Sequence, residues 1–124
     1  MEKNWQDLQI GDYIWYYDHY KLHRQKITHI SLQQKIDEID MLLYKKTINI
    51  TNEIYIEAGK GTKMYISGYY FDTDEYWWGH MPRFANYEAA KRFVERLICY
   101  RKERINKFKN KYERELKMLE KYEV

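Results

Sequence analysis

The chain has one cysteine, one proline and five glycines in 124 residues. Each scarcity removes a class of protein. Cys99 has no intramolecular partner, so a disulfide-stapled extracellular fold is excluded. No apolar run approaches the roughly 20 residues that a membrane-crossing helix requires. The opening MEKNWQDLQI also lacks the apolar stretch of a signal peptide. The expectation is a cytoplasmic protein, in a bacterial cell or a phage-infected host, with no membrane partner. Repeats, low-complexity tracts and linkers are absent, which predicts a single domain over 1–124 with a modest core.

Catalytic signatures are missing as well. Gly59-Lys60-Gly61-Thr62 lacks the spacing of a phosphate-binding loop and reads as a hairpin turn. His19, His23, His29 and His80 do not show the ligand spacing of a metal centre, and Asp72, Asp74 and Glu75 lack the ligand order of a calcium loop. Cys99 has basic neighbours in Arg96 and Lys102 but no activating base. Neither a Ser-His-Asp order nor a nucleophile elbow occurs. No enzyme, cofactor or metal is expected.

What the chain does have is a helix and many aromatic rings. Asn86 is a good N-cap, because its side-chain oxygen can accept from a free N–H of the first turn, and Glu88 suits the positive end of the dipole. Pro82 lies upstream, and neither proline nor glycine follows Asn86. Apolar residues recur at helical spacing, which predicts one helix over 86–122. Ala90, Phe93, Val94, Leu97 and Ile98 form a dense stripe expected to be buried against the preceding strands. Ile105, Phe108, Tyr112 and Leu119 continue at heptad-like intervals, broken by Arg101 and Glu115. Such a helix is about 54 Å long, so it either bends near 101–106 and folds back or projects to meet a second chain or a partner. Residues 91–111 hold nine basic and two acidic side chains, a net +7 against +3 for the whole chain. That bias favours an acidic partner, either a protein face or nucleic acid.

The first 85 residues read mainly as strands. Trp5 and Leu8 are placed to pack on the domain. Tyr13 to Tyr17 and Gln25 to Leu32 are strand-like, the second with Thr28, Ile30 and Leu32 on one face, joined by a turn from Asp18 to His23. Residues 32–46 satisfy both a helix and a strand pattern, and the strand is preferred because it completes a meander. Glu53–Glu57 and Lys63–Ser67 form a hairpin across Ala58–Thr62. Tyr76-Trp77-Trp78 is another short strand, ended by Gly79 to Arg83.

The opening GDYIWYY, then KITHI, a late aromatic hairpin and FANYEAAKRFVERL together resemble small SH3-like barrel proteins of phage and bacterial genomes. The resemblance implies an α+β fold: a small, strongly bent antiparallel sheet or SH3-like barrel followed by one long C-terminal helix. It implies a genomic setting more than an activity, and the chain after Leu97 departs from the pattern. A composition rich in Lys, Ile, Tyr and Asn points the same way, toward an AT-rich genome.

The functional expectation is a non-enzymatic binding protein, an accessory of a phage or mobile element that occludes a host or phage protein such as a defence nuclease. A nucleic-acid-binding module, with rings stacking on bases and basic residues on phosphates, is the first alternative. A homodimer through the helix is the second. The expected partner-binding residues are Tyr69, Tyr70, Tyr76, Trp77 and Trp78 with Arg101, Arg104, Lys107, Lys109, Lys111 and Tyr112.

Overall fold

The computed structural model describes residues 2–41 and 45–121. The centre of the ambiguous stretch, 42–44, and the helix end expected at Tyr122 lie outside them. The chain divides into two compact units, Met1–Ala90 and Lys91–Val124.

The first unit holds six strands: β1 (Tyr13–Asp18), β2 (Lys21–Met41), β3 (Lys45–Ala58), β4 (Thr62–Ser67), β5 (Glu75–Trp78) and β6 (Met81–Phe84). They form one antiparallel sheet in the order β4-β3-β2-β1-β6-β5. The sheet curls into a half-barrel, and one long helix, α1 (Tyr87–Glu120), follows it, so the fold is α+β with a bent sheet. The curl has a local cause. Residues 21–26 of β2 pair with β1, while 27–41 pair with β3, and a register shift between Ile27 and His29 marks the transfer. A bulge adds twist and bends the strand, which lets one strand serve both halves. It also corrects the facing expected for β2. Thr28 is exposed, donating its hydroxyl to the Glu57 carbonyl, and Ile27 is buried in its place; beyond the shift Ile30 is half-buried and Leu32, on the same face, is exposed.

The core lies on the concave face. Ile14, Ile27, Ile54, Ile56, Met64 and Ile66 are buried there, with Trp5 and Leu8 closing over them. Each such side chain contributes about 1.5–3 kcal/mol by leaving water. The amides of Trp5 and Gln6 donate to the carbonyls of Thr73 and Phe71, which fixes the lead-in segment as a cover. On the opposite face Trp15 and Phe84 are register partners, and Trp15 meets Tyr87 edge-on at 5.1 Å.

Residues 32–41 and 45–46 are strand. They belong to a ribbon longer than a simple meander, because β4 pairs with β3 only from Glu53 onward. Leu32, Ile36, Ile48 and Ile50 share one face of this ribbon and are exposed. The turn after β1 is also tighter than expected. His19 and Tyr20 alone connect β1 to β2, both with positive φ, and His23 is already in the strand. Gly79 to Arg83, read as an ending, includes the first three residues of β6, which lies between β1 and β5. The β1–β6 ladder has two pairs, Trp15 with Phe84 and Tyr16 with Arg83, and stops before Pro82, which has no N–H to donate.

α1 runs 34 residues without interruption. The Asn86 cap forms as expected: its side-chain oxygen accepts from the Ala89 amide at 2.7 Å, and its side-chain nitrogen donates to the Lys3 carbonyl at 2.9 Å. Burial along the helix is narrower than the apolar stripe suggested. Ala89 and Ala90 are buried, Phe93, Val94 and Leu97 are half-buried, and Ile98 is exposed.

Candidate interaction surfaces

The helical unit presents one apolar face. Ile98, Ile105, Phe108, Tyr112, Leu116 and Leu119 are all exposed. At 100° per residue they fall within an arc of about 80°. Lys102 and Lys109 flank one side of this arc, Arg104 and Lys111 the other, and all four are exposed. Arg101 and Glu115 fall in or beside the stripe and interrupt it, as the sequence suggested. The Arg104 guanidinium lies about 6 Å from the ring centres of both Tyr100 and Phe108, so the cation covers apolar surface as well as carrying charge. Arg101, Arg104, Lys107, Lys109, Lys111 and Tyr112 are thus all exposed on α1, but they spread over about 200° of its circumference, with Lys107 on the side away from the stripe. Cys99 is exposed on it too.

The expected aromatic residues belong to the sheet unit and do not form one platform. Trp77 and Trp78 are consecutive in β5, so they point to opposite faces, each about half exposed. The Trp77 ring N–H donates to Glu75 at 2.9 Å. Tyr69 and Tyr70 lie in a 3-10 turn, Gly68–Tyr70, with Tyr69 almost fully exposed. Only Tyr70 and Tyr76 are brought into contact, edge to face at 5.1 Å, and Tyr76 leans on the core.

A further group was not singled out from the sequence. Cross-strand pairing aligns His23, Tyr16, Arg83 and Tyr76 in one row across β2, β1, β6 and β5. The row shares its face with Ile14, two residues before Tyr16, and so continues the concave face beyond the core. Tyr16 stacks on His23 at 5.1 Å, and the Arg83 guanidinium sits over the Tyr16 ring at 4.5 Å. His23 Nε2 is 3.1 Å from the Asp18 carbonyl. Arg83 is 8% exposed, and its Nε and Nη1 are buried without a hydrogen-bond partner. Burial pushes its pKa down, while Tyr16 and Asp18 pull the other way. The guanidinium keeps its charge regardless, since arginine does not titrate in the ordinary range. Alternation within the aromatic run shows that Tyr16 and Ile14 share a face, but only the β6 pairing reveals Arg83 beside them.

Elsewhere the polar chemistry is local. Lys3 Nζ and the Gln9 amide both donate to Asp12 Oδ2 at 2.9 Å, the Lys3 bond being the main reason that the Asp12 carboxyl stays below its usual value. The Tyr55 hydroxyl donates to Glu57 at 2.5 Å, and its pKa is pushed up to about 12 by that bond. Among the described residues no three of His, Cys, Asp or Glu converge as metal ligands. No helix among them is long and apolar enough to cross a membrane. Comparison with known protein families, characterised proteins and solved structures returned no match.

Proposed function

We propose that this chain is a non-enzymatic binding protein that lays the exposed face of α1 into an apolar groove rimmed with carboxylates on a partner protein. The observation that carries the reading is the stripe from Ile98 to Leu119, exposed throughout and edged on both sides by lysine and arginine as far as Lys111. An apolar strip of this kind costs solubility unless it is covered, and helix-in-groove docking uses such spacing. The net +7 of residues 91–111 sets the chemistry of the rim, because like-charged walls would oppose entry and acidic ones favour it. The apolar stripe also supports the assignment over nucleic acid, for which large aliphatic residues at the centre of the basic face offer no phosphate contact.

The test uses the full chain as bait in nuclease-treated lysate, beside the double variant Phe108→Asp, Tyr112→Asp and the charge variant Lys102→Glu, Lys109→Glu. The captured protein is then purified and titrated directly. A one-to-one complex that both variants weaken by about a hundredfold, about 2.7 kcal/mol, and that added salt weakens further, supports the reading. Capture that nuclease abolishes assigns the surface to nucleic acid instead. Sedimentation of the free protein as a dimer that the Phe108 variant dissociates assigns it to a second copy.

A further inference from the structure

We propose that the concave face carries a second binding site, in which the row His23, Tyr16, Arg83 and Tyr76 receives the carboxylate or phosphate of a small molecule on the Arg83 guanidinium. The inference stands apart from the helix and uses only the sheet unit.

A buried guanidinium is normally paired. Removing a charge from water is expensive, and the cost is recovered only when acceptors surround it. Among the described residues no carboxylate lies within ion-pair distance of Arg83, and its only direct partner is the face of Tyr16. Asp18 is near enough to favour the charged form but reaches no donor of the guanidinium. Nε and Nη1 are thus two buried donors aimed at no acceptor. An incoming oxyanion supplies what is missing, through charge-assisted hydrogen bonds that are roughly twice as strong as neutral ones.

The surroundings narrow the ligand. Arg83 is 8% exposed, so a slender terminal group reaches it where a broad surface does not. Aromatic rings border the site: Tyr16 carries Arg83, Tyr76 is its register partner on the other strand, and Tyr70 abuts Tyr76. A flat organic body attached to the oxyanion finds ring faces and edges beside the cation. The chemistry therefore fits a small aromatic acid or phosphate ester. A metal cation is disfavoured by the positive charge.

The test follows the Arg83 side-chain Nε–H by NMR in the full-length protein, assigned by its loss in Arg83→Lys. Inorganic phosphate, acetate, phenyl phosphate and benzoate are titrated against chloride at equal ionic strength. The expected result is a saturable shift of that signal with phosphate or acetate but not chloride, with the matching aromatic probe binding about tenfold more tightly. The relative response to the phosphate and carboxylate pairs identifies which oxyanion the site prefers. Arg83→Lys is expected to lose the saturable protection that the aromatic probe gives in thermal melts, and Tyr16→Leu to lose the aromatic gain. An Arg83 signal that none of the four probes moves, or that chloride moves equally, overturns the proposal. A stability loss in Asp18→Asn that matches that of Arg83→Gln, with no probe response in the wild type, also overturns it, by showing that Asp18 satisfies the guanidinium internally.

Discussion

Two neighbouring residues hold backbone conformations that their side chains disfavour. His19 and Tyr20 connect β1 to β2 with φ of 48° and 65°, the geometry of a hairpin turn that ordinarily uses Asn-Gly. Each non-glycine residue in this region costs about 1 kcal/mol or more. Tyr20 is 94% exposed, so removing its ring forfeits almost no burial. Tyr20→Gly is therefore expected to raise stability by about 1 kcal/mol, read as a higher urea midpoint with an unchanged slope. Asp12 offers a contrasting case. Its carboxyl is held low in the folded chain, first by Lys3 and then by the Gln9 amide. The stabilisation is thus present above the unfolded pKa of about 3.9 and lost as pH falls through the lower folded value. Both partners are partly exposed, so Asp12→Asn is expected to cost only about 0.5 kcal/mol at pH 7. Unfolding curves at pH 7 and near pH 2.5 check this, because the difference from wild type should shrink at the acid end.

At the level of elements, the pattern was readable wherever neighbours in sequence decide the outcome. Asn86 caps α1, Gly59 and Gly61 supply positive φ in the β3–β4 turn, and Ile54, Ile56, Met64 and Ile66 alternate inward. Ile56→Ala is accordingly expected to cost about 2–5 kcal/mol, since a fully buried side chain leaves a cavity in a small core. What escaped the sequence depends on partners far along the chain. β6 contains the only proline and four residues, too few for a periodic signal, and is a strand because β1 and β5 lie on either side. The bulge at Ile27/His29 moved Thr28 outward, and nothing in that local alternation announces it. Arg83 was unreadable for the same reason as β6. The binding surface divided likewise: the basic and apolar residues of α1 follow from helical spacing alone, whereas the opposed facing of Trp77 and Trp78 follows from β5 being a strand. The β2–β3 ribbon yields its own prediction. Ile36→Thr with Ile48→Thr should leave the melting temperature within about 2 °C, because both side chains are already exposed, while reducing self-association at high concentration.

For the molecule as a whole, stability should reside in the sheet unit. Every residue from Ile98 to Lys121 is exposed, while among the described residues those that are buried all precede Lys91. Deleting 106–124 is expected to leave a single cooperative transition with a melting temperature within about 5 °C of the full chain, and to abolish partner binding. Loss of the cooperative transition on deletion would show that the distal helix supports the core.

The pairing of β1 with β6 also governs how the chain comes off the ribosome. Tyr16 and Arg83 are neighbours in the sheet but about 70 residues apart in synthesis, whereas β1–β2, β2–β3 and β3–β4 join successive strands. At roughly 5–20 residues per second, β1 waits several seconds for its second neighbour to be made. During that time Trp15 and Tyr16 stand on an open strand edge, able to template pairing with another nascent chain. A chaperone that holds this edge, or a slow stretch of translation placed after Phe84, would act on yield without touching the finished protein.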